Sequence, residues 1–259
     1  MIEEPYRWVE AIANRREYIE MQLAPGSPIA ALSFRDGILF LTIGRARQKL
    51  FEIYDRIAMG AIGHPGDIER LRMAAIELAS TEGFTRSAAD VSLRRLAFYA
   101  LSQLLKTAFE QIYGAPYLAR MIFAEVGSRP ADDLFLRVEY DGSIAVSGAS
   151  ADARPPRFSV ISGTARATEL MEELLRRDHD SNCTLKAALK VALDAWSVGN
   201  MAAKEDGARE LPSHEALRQR WTEELLSATI EAGVLERRAR SAIRYRRMAA
   251  EELRGLTSA

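Results

Sequence analysis

The 259-residue sequence predicts an α+β protein built as a four-layer αββα sandwich, two antiparallel sheets face to face with helix pairs outside. Three observations carry this expectation. Apolar runs of strand length come in pairs joined by turn signals such as Asp36-Gly37 and Asp141-Gly142. Helical patterns also come in pairs. The order is helix, four strands, two helices, four strands, two helices, two strands and a tail, whereas a doubly wound parallel sheet needs strands and helices to alternate.

The opening segment, 9–24, reads as a helix because Trp8, Ile12, Ile19 and Leu23 share a face while Glu10, Arg15, Arg16 and Glu20 fall elsewhere. Pro25-Gly26 stops it. Ile29 to Phe34 and Ile38 to Ile43 form a hairpin with both faces buried, and Leu50 to Tyr54 with Ile57 to Ile62 form a second. Two helices follow. Ile68, Leu71, Ala75 and Leu78 stripe the first, and Phe98, Leu101, Leu105, Ala108 and Ile112 the second. Strands are expected at Arg120 to Val126, Asp133 to Tyr140, Ile144 to Ser147 and Phe158 to Ser162, with a Gly/Ser/Ala/Pro surface loop from Gly148 to Pro156. Thr164 to Arg177 and Thr184 to Trp196 read as helices, and Val198 to Pro212 as a polar loop. His214 to Leu226 is a further helical segment, Ala228 to Leu235 and Ser241 to Met248 are candidate strands, and Ala249 to Gly255 is a terminal helical piece.

Composition narrows function mainly by exclusion. The chain has 35 basic against 36 acidic side chains, a net charge of -1, which argues against a dedicated nucleic-acid binder. The run Arg237, Arg238, Arg240, Arg244, Arg246, Arg247 reads as an exposed strand face. One cysteine, Cys183, permits no internal disulfide, and His64, His179 and His214 have no metal-ligand spacing, so no metal and no cofactor is expected. No apolar run approaches the ~20 residues of a membrane span, and Met1 to Arg7 lacks the basic-then-apolar pattern of a secretory signal, so the expected compartment is the cytoplasm.

One ordered set of short motifs is more informative. Gly26-Ser27, Ala30-Ala31-Leu32, Asp36-Gly37-Ile38-Leu39, Lys49-Leu50, Ile53-Tyr54-Asp55-Arg56 and Gly63 resemble the opening hairpins of 20S proteasome subunits. Asp67, Leu71, Arg72, Asp90-Val91, Ala115-Pro116-Tyr117, Ala124-Glu125-Val126 and Tyr140-Asp141-Gly142-Ser143-Ile144 continue the series. Together they are similar to the α subunit of the bacterial, actinobacterial-type proteasome, a member of the N-terminal nucleophile hydrolase superfamily. The resemblance covers about residues 9 to 198 and resumes near Leu226 to Arg247.

Catalytic β-type subunits of that family expose an N-terminal threonine, with a lysine and an acid tuning proton transfer. The hairpin alignment puts Ser27 at the nucleophile and Lys49 at the lysine. Pro28 would crowd such a terminus, and Ile43 stands near where the acid belongs. A helix before Ser27 is what the α class has in place of a removable propeptide. The resemblance therefore implies a non-catalytic subunit. The alternatives are a free-standing amidohydrolase using processed Ser27 and a scaffold ring without protease partners.

For the α class, the resemblance implies that Lys49 lies in an activator-tail pocket and pairs with a C-terminal carboxylate, that Gly63 leaves room for the tail, and that Glu17, next to Tyr18, supports the open gate. It implies a gate tail over 1–8, with Met1, Ile2, Glu3, Glu4, Pro5 and Tyr6 as its residues. The Tyr54-Asp55-Arg56 triplet lies in the second hairpin and is not the gate cluster of similar composition that many α subunits carry. One α-type domain over 1–259 is expected, with a sandwich core over 25–259 and insertions near 148–157 and 200–225. Implied partners are copies of itself in a heptameric ring, β subunits, a ring-shaped ATPase or ATP-independent activator, and unfolded protein substrates.

Overall fold

The computed structural model describes residues 5–45, 47–111, 113–147, 156–204 and 211–257. In chain order these form α1 (Pro5–Leu23), β1 (Ile29–Phe34), β2 (Gly37–Gly44), β3 (Leu50–Tyr54), β4 (Ile57–Gly63), α2 (Pro65–Thr85), α3 (Leu93–Arg95), a π-helical segment (Leu96–Leu101), α4 (Ser102–Glu110), β5 (Ala119–Glu125), β6 (Leu134–Val138), β7 (Ile144–Ser147), β8 (Phe158–Ile161), α5 (Ala165–Asp178), α6 (Leu185–Lys204), α7 (His214–Glu224), β9 (Thr229–Glu236), β10 (Tyr245–Arg247) and α8 (Ala250–Thr257).

Two antiparallel five-stranded sheets result, ordered β10-β9-β2-β1-β8 and β3-β4-β5-β6-β7. Side chains alternate across a strand, so β1 sends Ile29 and Ala31 between the sheets and Ala30, Leu32 and Phe34 toward a helix layer. Burial on both faces explains why this strand is apolar almost throughout. The inter-sheet core includes Ile38, Phe40, Leu50, Ile122 and Phe135. Outside the first sheet, α5 and α6 pack Leu170, Leu174, Leu189 and Trp196. Outside the second, α2 to α4 pack Leu71, Ala75, Leu101 and Leu105. Each large side chain removed from water in these layers contributes roughly 1.5–3 kcal/mol before entropy is counted.

The αββα expectation agrees with this architecture, and the differences are local. The first helix starts at Pro5 rather than residue 9, since proline lacks only an amide that a first helical turn leaves unbonded anyway. Met1 to Glu4 lie outside the described residues, as do 148–155 of the expected surface loop and Ile112 of the second stripe. The stripe Phe98-Leu101-Leu105-Ala108 is shifted. A π-helical segment spans Leu96–Leu101, so Leu96, Ala97 and Leu101 face inward while Phe98 is 41% exposed. In α2, Ala79 rather than Leu78 completes the buried stripe.

The expected loop from Val198 is helix as far as Lys204. Gly199 in this stretch is a close-packing residue within the helix. A Cβ there would stand 2.4 Å from Met171 Sδ and 2.8 Å from Pro28 Cγ, and the Met201-Ala202-Ala203-Lys204 run that follows favours helix.

The basic run is not one exposed face. Arg237 is buried, its guanidinium gripping both carboxylate oxygens of Asp133 at 2.7 and 2.9 Å and donating also to the carbonyls of Gly127 and Phe34. Arg246 bridges Glu236 and Glu252, and the Arg244 amide donates to the carbonyl of Asp55. These bonds tie β9 and β10 to the hairpins and engage Arg237, Arg244 and Arg246, whereas Arg238, Arg240 and Arg247 are exposed.

Candidate functional site

Three chain junctions meet at one end of the sandwich. They are Gly26-Ser27-Pro28 between α1 and β1, Arg45, Arg47, Gln48 and Lys49 between β2 and β3, and Gly63 to Pro65 between β4 and α2. With the end of α6 and Glu224 of α7 they frame a cleft of about 930 Å³. Its apolar lining includes Pro25, Pro28, Phe51, Ile62 and Trp196.

Lys49 and Gly63 both line this cleft, whereas Glu17 does not. Glu17 is exposed on α1. Burial lowers the Lys49 ammonium below its ordinary value, and the Glu231 carboxylate pulls it partly back. Among the described residues the Nζ forms no ion pair. Gly63 has a cause within the fold. Its φ is +130°, and a Cβ would stand 2.0 Å from the carbonyl oxygen of Leu118, whose partner is the His64 amide at 2.7 Å. Of the expected gate residues, Met1, Ile2, Glu3 and Glu4 lie outside the described residues, and the backbones of Pro5 and Tyr6 open α1.

Ser27 is engaged on both sides. Its hydroxyl donates to the carbonyl of Ile43 at 2.6 Å and accepts from the Trp196 indole N–H at 3.1 Å. A nucleophilic hydroxyl needs a base within hydrogen-bond reach. Here the acceptor is a carbonyl, and the Ile43 side chain is buried in the helix-facing core.

The segment before Ser27 is built into the fold. Ile19 and Leu23 are fully buried against Phe109 and Tyr140. Glu20 accepts from Arg120 at 3.0 Å and from the Tyr140 hydroxyl at 2.9 Å, which together with burial raises the Tyr140 phenol well above its usual range. Arg120 also grips Glu139 at 2.6 Å and the carbonyl of Ser162. Arg15 donates to the carbonyls of Phe109, Gln111 and Gly114, satisfying the end of α4. Trp8, expected to pack, is 40% exposed in the single chain.

The Glu20–Arg120 tie went unread in the sequence. Its one signal was an arginine beside the apolar run Met121 to Ala124 of β5, since a charge is seldom buried without a partner. Glu231, which accepts from the backbone amides of Lys49 and Leu50, also gave no sequence signal.

Among the described residues, no helix is long and apolar enough to cross a membrane, and no group of three or more His, Cys, Asp or Glu could hold a metal ion. No family model matches the chain. Individual proteins do match. It is 32% identical over 249 residues to the proteasome subunit alpha of Parafrankia sp. (strain EAN1pec), covering 95% of this chain and 92% of that one. The proteasome subunit alpha of Frankia casuarinae is 33% identical over 249 residues, with coverage of 95% and 92%. That of Kineococcus radiotolerans is 33% identical over 238 residues, covering 87% and 94%. At this identity over nearly the whole length of both chains, the chain belongs to the proteasome α subunits, the non-catalytic ring subunits that assemble with β subunits.

Proposed function

We propose that this chain is a gating subunit that controls entry of unfolded protein into the chamber of a cytoplasmic proteasome, and that the cleft around Lys49 receives the C-terminal carboxylate of an activator. The observation that supports this most is the half-buried Lys49 ammonium, which lines an apolar cleft and has no ion pair among the described residues. A charge held in such surroundings costs desolvation. An incoming carboxylate offsets that cost through a charge-assisted hydrogen bond, which strengthens as the cleft dries.

In this reading, seven copies form each outer ring and β subunits supply the threonine nucleophiles. Residues 1–8 with Met1 to Tyr6 act as the gate, and docking at Lys49 beside Gly63 shifts the gate toward its open population. Glu17, exposed on α1, supports the open form from outside the cleft. The activator is a ring-shaped ATPase or an ATP-independent ring. The segments near 148–157 and 200–225 are this chain's own elaborations, and α7 brings Glu224 of the second to the cleft wall.

The test is co-expression with candidate β subunits, native mass spectrometry of the product, and peptide hydrolysis with and without activator. Lys49→Ala should assemble normally and lose stimulation. Unchanged stimulation in that variant, or amide hydrolysis by the isolated chain, would overturn the reading.

A further inference from the structure

The carboxylate of Glu231 sits on β9, in the first sheet, and reaches across to the head of β3, in the second. Its Oε2 accepts from the Lys49 amide at 2.9 Å, and its Oε1 accepts from the Leu50 amide at 3.1 Å and more weakly from Lys49 at 3.2 Å. Leu50 is the first residue of an edge strand, so both amides belong to the point where the loop from β2 becomes ladder. A β9 side chain facing a strand start would ordinarily need only an apolar contact. A carboxylate here satisfies two backbone donors and adds a negative charge close to a lysine that has no ion pair among the described residues.

We propose that Glu231 is the positioning residue for Lys49, fixing the Lys49–Leu50 backbone at the mouth of the cleft and keeping the side chain in its ammonium form. The use made of that ammonium rests on the carboxylate-docking function proposed above, whereas the Glu231–Lys49 coupling does not. Other charged and titratable groups face the pair. Arg247 and Tyr245 approach Glu231 from β10, Glu52 lies further along β3, and Arg47 lines the cavity on the Glu231 side. Burial raises the Glu231 carboxyl above its ordinary value, and the two amides, Arg247 and Lys49 pull it partly back toward the carboxylate form. Lys49 has the converse balance, with burial favouring the neutral amine and Glu231 the ammonium.

Glu231→Gln separates the two roles. The amide oxygen still accepts from a backbone N–H, but the charge is gone. Only the neutral amine of a lysine reacts with acetic anhydride, so trace acetylation of the full chain across pH 7 to 11, read residue by residue by mass spectrometry, reports the ammonium fraction. In Glu231→Gln, Lys49 should label about three- to tenfold faster at pH 8, with its midpoint displaced to lower pH. The exposed Lys186 and Lys190 on α6 serve as internal references and should not move.

The sign excludes a merely structural role. If the substitution only loosened the loop, Lys49 would gain solvent and its midpoint would rise. A Lys49 curve that superimposes on wild type, or moves upward, overturns the proposal, and Glu231→Asp should restore most of the wild-type curve. Hydrogen exchange in the unaltered protein gives a second reading that needs no variant. The Lys49 and Leu50 amides should be protected, and exchange of both at the rate of an unfolded chain would equally overturn it. Loss of activator stimulation in Lys49→Ala bears on docking alone, so the two ideas fail separately.

Discussion

Arg237 and Lys49 are both basic side chains held where the two sheets meet, yet they are used in opposite ways. Arg237 has its guanidinium 5% exposed, and Asp133, at 0%, meets it with two bonds while accepting further from Ser33 and the Gly127 amide. Lys49 lines an open cleft, feels Glu231 through space and forms no ion pair among the described residues. The first arrangement leaves nothing for a ligand, because every strong donor already has its acceptor. The second keeps a donor in reserve at an electrostatic cost.

The largest test of this contrast removes Asp133. Asp133→Ala leaves Arg237 charged, buried and unpaired, and should cost about 3–5 kcal/mol of unfolding free energy in urea titration. A loss below ~1 kcal/mol would mean that water reaches Arg237 and that the two basic residues are alike. Next comes the other end of the cleft. Ser27→Ala deprives the Trp196 N–H of its acceptor and should cost about 1 kcal/mol, while leaving peptide hydrolysis by the assembled particle unchanged. A collapse of hydrolysis would revive the nucleophile reading.

Lys49→Met should change stability by no more than ~0.5 kcal/mol, because no ion pair among the described residues is broken and a desolvated charge is removed. A loss of several kcal/mol would place Lys49 in the same class as Arg237. The smallest effect is on pH. Since burial lowers Lys49 from 10.5 in the folded chain, the unfolded chain binds more protons between the lowered value and 10.5. Stability therefore rises with pH across that window in wild type, relative to Lys49→Met. Parallel stability curves for the two proteins from pH 8 to 10.5 would show that Lys49 is not desolvated.

Much of this layout was legible beforehand, and the reason differs from element to element. The β1–β2 hairpin was readable because two-faced burial makes strands almost uniformly apolar, and Asp36-Gly37 marks the turn between them. The α5 and α6 faces were readable because their helical spacing is regular. The π-helical segment broke that spacing over Leu96–Leu101, and no local signal announces it, so Phe98 was misplaced. Arg237 was misread because adjacent arginines look like a solvated face until Asp133, far away in the chain, is brought against one of them. Within the site, Lys49 and Gly63 were singled out by the resemblance alone; both line one cleft, and their role there is the proposal made above. Glu231 and the Glu20–Arg120 tie were not, since each joins residues far apart in the chain.

The sequence by itself determined the layers and the two opening hairpins, because periodicity and turn chemistry act over a few neighbouring residues. Only the tertiary structure decided which charges are spent and which are held in reserve. Whether an arginine or a serine hydroxyl has a partner depends on groups that the chain brings together from 16 to 203 positions away, and desolvation, which sets the value of each contact, exists only once the layers have closed.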